Sequence, residues 1–222
     1  MILTHLGHSA VLVEVADQRL LIDPGNFSDS WHDLTDLDAI LVTHQHPDHV
    51  DPVAVGALVE LNPQAVILVE PGVPAVVALP DARVMAPGET FQRGSVTVQA
   101  VGGWHALIHR DIPRIGNLGY VISAPGEPRF FHPGDSLATV PEQIDILAAP
   151  AHGPWSAMKE IIDFVRTVGA SRGFLIHEGL LNQRGWALAF DRLNAMTRTD
   201  FTDLRDGAAL TVDGPDQCDQ TR

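Results

Sequence analysis

A layered α/β domain is the fold class the sequence predicts, on three observations. Short apolar runs that read as strands alternate with helical patterns, and strands precede helices in two rough halves of the chain. The 222 residues suit one large domain, or at most two small ones, and suffice to bury a real core. Hydrophobic residues make up 45% and charged residues 19%, which argues against disorder as a description of the whole.

The elements follow in order. Ile2 to Leu6 and Ala10 to Val15 read as strands joined at Gly7-His8-Ser9, and Arg19 to Ile22 as a third ended by the turn cluster Asp23-Pro24-Gly25. Asn26 to Asp38, with Phe27 and Trp31, reads as a loop over one edge of a site, and Ala39 to Val42 is the next strand. Asp51-Pro52 predicts an N-cap followed by proline at the first position of a helix that ends near Leu61, before Asn62-Pro63. Ala65 to Val69 is a buried strand and Val73 to Leu79 a short helix. Arg83 to Met85, Thr90 to Gln92 and Val96 to Val101 suggest antiparallel strands, and Leu118 to Ser123 with Arg129 to His132 a further pair. Ile144 to Ala149 and Gly173 to Ile176 are strands, each followed by a helix, at about Ser156 to Val168 and Leu181 to Met196. Leu210 to Val212 suits an edge strand. The expected domain is therefore 1–212, with 213–222 a polar tail.

Within this frame Thr43-His44-Gln45-His46-Pro47-Asp48-His49 places three imidazoles and a carboxylate directly after an apolar strand. Imidazole is the commonest protein ligand for zinc-like ions, and a carboxylate coordinates a metal or orients its water. Three later residues share the same position after a strand: His105 after Val98 to Val101, Asp135 after Phe130-Phe131, and His177 after Phe174 to Ile176. His44 and His46 stand two apart on extended backbone, so they point to one side, where His105 would complete a three-imidazole face. Asp48 and His49 turn toward a second ion that His177 would complete, and Asp135 is the natural bridge between the two.

Leu6-Gly7-His8-Ser9-Ala10, Leu21-Ile22-Asp23-Pro24 and Leu41 to His49 are similar to the metallo-β-lactamase fold superfamily of metal-dependent hydrolases, in its L-ascorbate-6-phosphate lactonase-like branch. The resemblance runs from about residue 2 to 212. It departs at Ala149 to Trp155, where many lactonase-like members are richer in glycine. It implies a four-layer αβ/βα sandwich with a metal pair at one edge of its two sheets. It also implies that His44, His46 and His105 form one site, Asp48, His49 and His177 the other, with Asp135 between them.

Other residues read two ways. His8 lines the pocket or makes a structural hydrogen bond, and Asp23 orients a ligand histidine or merely turns the chain. His132 reads as a loop-fixing residue. His152 is a candidate to bind substrate or donate a proton, against an exposed loop histidine. His109, Arg110 and Arg114 read as a solvated loop, with contact to an anionic substrate as the alternative.

The expected function is hydrolysis of a small ester, lactone or phosphodiester by a metal-bridging hydroxide. Asp48 would be catalytic, with His152 or His8 protonating the leaving group. Two divalent ions are expected, zinc first, with manganese or iron as alternatives. An iron-dependent oxidoreductase and a non-catalytic metal-binding protein are the rivals. The net charge of −14 disfavours nucleic acid as a partner, leaving a small-molecule substrate; composition is neutral on a homo-oligomer. The start of the chain shows no secretory pattern, no apolar run approaches the ~20 residues of a membrane span, and the single Cys218 makes no internal disulfide. A cytoplasmic location is the expectation that follows.

Overall fold

The computed structural model describes residues 1–214, in which fourteen strands form two seven-stranded sheets. The first runs β14 (Ala209–Thr211), β1 (Ile2–His5), β2 (Val11–Val15), β3 (Gln18–Ile22), β4 (Ala39–Val42), β5 (Val66–Val69), β6 (Arg83–Val84). The second runs β13 (Asp200–Thr202), β12 (Arg172–Ile176), β11 (Ile146–Pro150), β10 (Phe130–His132), β9 (Leu118–Ser123), β8 (Val96–Gly102), β7 (Thr90–Arg93). Both sheets are built alike. Strands β14 to β3 and β7 to β10 pair antiparallel, and β3 to β6 and β10 to β13 pair parallel.

Alternation of side chains along each strand makes the layers. In β3, Leu20 and Ile22 face the second sheet while Leu21 faces outward. The core between the sheets joins Leu3, Val13 and Leu41 of the first to Val98, Phe130 and Phe174 of the second. Outside, helix α1 (Val55–Leu61) sets Leu58 on Leu12, Leu21 and Ile40. Helices α2 (Met158–Val168) and α3 (Gln183–Met196) cover the other sheet, with Ile161, Val165 and Leu193 on Leu147, Ala149 and Leu175. The expected αβ/βα sandwich is the observed one. Polar ties also cross the seam: Leu118 N–H donates to Thr43 O at 2.8 Å, and the Tyr120 hydroxyl to Val42 O at 3.1 Å.

Local expectations fail in four places. Asp51 does cap, accepting from the N–H groups of Val53 and Ala54, but it caps a turn, and α1 starts only at Val55. The short helix expected at Val73 to Leu79 is a 3-10 turn over Val73–Ala75. Arg83–Val84 pairs parallel with β5 in the first sheet, so only β7 and β8 form the expected antiparallel pair. Strand β13 went unforeseen, since three residues with one apolar side chain carry almost no pattern. The expected tail, 213–222, lies outside the described residues from 215 onward, Cys218 with it. No helix of the described residues is long and apolar enough to cross a membrane.

Phe174 is fully buried in the inter-sheet core and stacks on Phe130, with ring centroids 6.0 Å apart. Phe174→Ala should cost ~3–5 kcal/mol of unfolding free energy, read by denaturant titration; a loss under about 1 kcal/mol would contradict this packing.

Candidate metal centre

Every residue at this centre sits on a loop just beyond the end of a strand. β4 delivers His44 to His49, β8 delivers His105, β10 delivers Asp135 and β12 delivers His177. Their donor atoms fall into two groups able to hold a metal ion. One is His44, His46, His105 and Asp135; the other is His8, Asp48, His49 and His177; in each the donor atoms lie within 4.8 Å of one another. Asp135 stands between the groups. Its Oδ1 is 3.2 Å from His49 Nε2, and its Oδ2 is 3.3 Å from His105 Nε2 and 3.2 Å from His177 Nε2.

Three of the outer nitrogens are engaged, while His177 Nδ1 is buried with no partner among the described residues. His44 Nδ1–H donates to Thr43 Oγ at 3.0 Å, His49 Nδ1–H to Asp23 Oδ2 at 2.7 Å, and His105 Nδ1–H to Ala106 O at 2.6 Å. Each bond fixes the tautomer and turns an Nε2 lone pair inward. There, Nε2 of His49, His105 and His177 and Oδ1 of Asp135 are buried with no hydrogen-bond partner among the described residues. A buried unpaired polar atom costs ~1–3 kcal/mol, and four of them converging on one space fit a shared cation. His44 Nε2 and His46 Nδ1 face each other at 3.0 Å, the approach expected of two donors to one ion.

A second ring of contacts holds these side chains. Asp23 also accepts from the Thr43 N–H and hydroxyl, both at 2.7 Å, tying the end of β3 to the histidine turn. Asn117 accepts the Asp135 N–H at 2.9 Å and donates to Pro133 O at 2.9 Å. Trp155 Nε1–H donates to Asp135 Oδ2 at 2.8 Å. Gly134 has φ +59°, and a Cβ there would collide with Asn117 and Thr43, so only glycine fits.

The sequence profile described as "Beta-lactamase superfamily domain" matches residues 2–172. The chain belongs to that superfamily. Protein Rv0786c of Mycobacterium tuberculosis is 41% identical over 212 residues, 95% of this chain and 100% of its own. A UPF0173 metal-dependent hydrolase of Xanthobacter autotrophicus is 32% identical over 151 residues, 61% of this chain and 62% of its own. The solved structure of Igni18, a metallo hydrolase from the hyperthermophilic archaeon Ignicoccus hospitalis, aligns with TM-score 0.73 at 15% identity over 96% of this chain and 99% of its own. That last likeness shows the fold.

In this superfamily member the seven residues singled out from the sequence as ligands all enter the two groups, and His8 joins them. His152 does not; it is half-buried just beyond β11. His132 fixes a loop, accepting the Gly134 N–H on Nδ1 and donating from Nε2 to Ser9 O at 3.0 Å. Trp31 is not at the site edge: it is fully buried beside α1 and donates to Gly25 O at 3.0 Å, while Phe27 of the same loop packs on His8. His109 and Arg110 are exposed, whereas Arg114 donates to His105 O at 2.6 Å. Asn117 and Trp155 carried no sequence signal, because what matters is the partner they reach across the fold.

Burial and charge set the proton affinities. Burial would raise the Asp135 carboxyl, but His49 and His177 outweigh it and hold the group well below the usual carboxylate range. Burial pushes His44 well down, with His49 adding to the effect. Burial also opposes a charge on His49, yet Asp135 and Asp23 prevail and raise it well above an ordinary histidine. The field that favours a proton on His49 favours a cation in its place. Asp48 would be raised by burial but is lowered to about 2 by the hydrogen bond from His8 and the charge of His49. A depressed carboxylate stabilises the fold fully above its ordinary range, and that contribution disappears as pH falls through the folded value. In chelator-treated protein, urea titrations between pH 5 and pH 2 should therefore show Asp48→Asn losing about 2 kcal/mol less than the unaltered chain. Equal losses would refute the assignment.

Proposed function

We propose that this chain is a metal-dependent hydrolase of small organic substrates. In this reading His44, His46 and His105 hold one divalent ion, Asp48, His49 and His177 a second, and Asp135 lies between them. The observation that carries it is the convergence of four buried, unpaired donor atoms at the strand ends. Zinc is the first choice of ion and manganese the next. When bound, such ions would supply Lewis acidity and make water acidic enough to yield hydroxide near neutral pH.

The protein's own part is positioning. Thr43, Asp23 and the Ala106 carbonyl hold three imidazoles in the ligating tautomer, and Trp155 orients the central carboxylate. Trp155 also walls a cavity of about 580 Å³ that begins at Ala106 and Ser136, the neighbours of His105 and Asp135. Leu107, Leu137, Val140 and Phe164 make that cavity largely apolar. Arg114 is its one cation among the described residues, against the carboxylates of Glu160 and Asp163. An open groove with an apolar floor and net negative lining favours a carboxylic ester or lactone over a phosphodiester. His152, at the end of β11, is the residue proposed to protonate the leaving group.

The imidazole and carboxylate set also admits iron. Iron-dependent oxidation on the same scaffold, or metal binding without catalysis, is separated from hydrolysis by metal analysis after anaerobic purification together with oxygen uptake. Asp48→Ala should abolish turnover and loading of the second ion, and Asp135→Ala turnover and loading of both, while the circular dichroism of the sandwich persists; full activity in either purified variant would sink the assignment. In a screen of aryl esters, lactones and cyclic or bis-aryl phosphodiesters, esters or lactones should turn over fastest, and His152→Gln should slow poor leaving groups more than good ones. Exclusive phosphodiesterase activity would overturn the substrate class, and a uniform effect of His152→Gln would remove its proposed role.

A further inference from the structure

His8 stands among the donors of the second group, yet its hydrogen bonds are not those of a ligand. Its Nδ1 accepts the backbone N–H of Gly179 at 3.1 Å, so that nitrogen has no proton and its lone pair is used. A neutral imidazole carries one N–H, which therefore lies on Nε2 and donates to Asp48 Oδ2 at 3.1 Å. With one nitrogen accepting and the other donating, neither is free to bind a cation. The main chain is pinned as well. His8 N–H donates to Glu178 Oε1 at 2.9 Å, and His8 O accepts from His177 N–H at 2.8 Å and from His5 Nε2–H at 2.9 Å.

The surroundings preserve this arrangement. A Cβ at Gly179 would collide with His8 Nδ1 and with Phe27, so glycine is what lets the amide reach the ring. Phe27 packs on the His8 ring with centroids 4.7 Å apart, and the His177 ring lies 4.2 Å away. The His8 backbone is left-handed, with φ +53°, a conformation a histidine adopts only where the surroundings compensate.

We infer that His8 is a positioning residue, neither a metal ligand nor the acid that protonates the leaving group. It locks the Asp48 carboxylate and the His177 loop into one ligating geometry by joining the β1–β2 turn to the β12–α3 loop. The inference rests on the proposed two-ion site. It places the dependence on the second group alone, since no hydrogen bond joins His8 to His44, His46 or His105 among the described residues.

The test is Zn²⁺ binding by chelator competition on the full chain, comparing His8→Ala, His8→Gln and Asp48→Ala. Alanine and glutamine carry the same left-handed backbone penalty, so the comparison isolates the Nε2–H donor, which the glutamine amide can replace. His8→Ala should weaken one zinc equivalent by ~10–100-fold and leave the other unchanged, and His8→Gln should restore most of the loss. Cobalt substitution should show an altered absorption spectrum for His8→Ala alone. Equal losses in both variants would make His8 a ligand and overturn the inference, as would unchanged binding in His8→Ala. A loss of kcat in His8→Gln that depends on leaving group, with both equivalents intact, would make it the acid instead. If Asp48→Ala left both zinc equivalents intact, the two-ion site itself would fall, and the inference with it.

Discussion

A carboxylate buried among imidazoles is the interaction on which the centre depends. Burying Asp135 in an apolar interior would cost several kcal/mol if it stood alone. The Trp155 N–H offsets part of that cost, and positive charge on His49, or a cation held between the carboxylate and the imidazole nitrogens near 3.2 Å, would offset more. Hence the care with which the backbone places it. Asn117 grips the amide of Asp135, and Gly134 takes a turn that any side chain would block. The fit of His44 and His49 follows, since Thr43 and Asp23 set their rotation while their Nε2 atoms lie 3.9 Å and 3.2 Å from Asp135.

The repeated connectivity of the two sheets explains why donors so distant in sequence meet. Strands β1 to β6 of the first sheet correspond in order and pairing to β8 to β13 of the second. Equivalent strand ends then carry equivalent chemistry. His8 follows β1 as His105 follows β8, and Asp23 follows β3 as Asp135 follows β10. The correspondence is one of place, with roles divided. His105 and Asp135 point free donor atoms into the centre, while His8 and Asp23 are engaged in hydrogen bonds that orient their neighbours.

Much of this was legible from the sequence, for identifiable reasons. Strands with unbroken apolar runs, such as Ala39–Val42, were readable because burial on both faces leaves no other pattern. The ligand candidates were readable because histidine and aspartate after a strand are costly to bury without purpose. Pairing was not readable where neighbours are chosen by tertiary contact: Arg83–Val84 sits next to β5 because of the sheet edge available to it, not because of its two residues. Trp31 shows the limit of reading exposure from loop position, since its ring plugs the space beneath α1. Asn117 and Trp155 act at a distance along the chain from Asp135, and no local spacing encodes that encounter.

The donors are divided between the sheets. His44, His46, Asp48 and His49 follow the first sheet's β4, and His105, Asp135 and His177 follow strands of the second. Ions seated between them would act as rivets across the seam. Binding that selects the folded chain adds stability that grows with the logarithm of free ion concentration. Chemistry and mechanical integrity would then share one supply line: a cell short of metal would lose the enzyme's turnover and, by the same depletion, shorten the time its two halves stay closed.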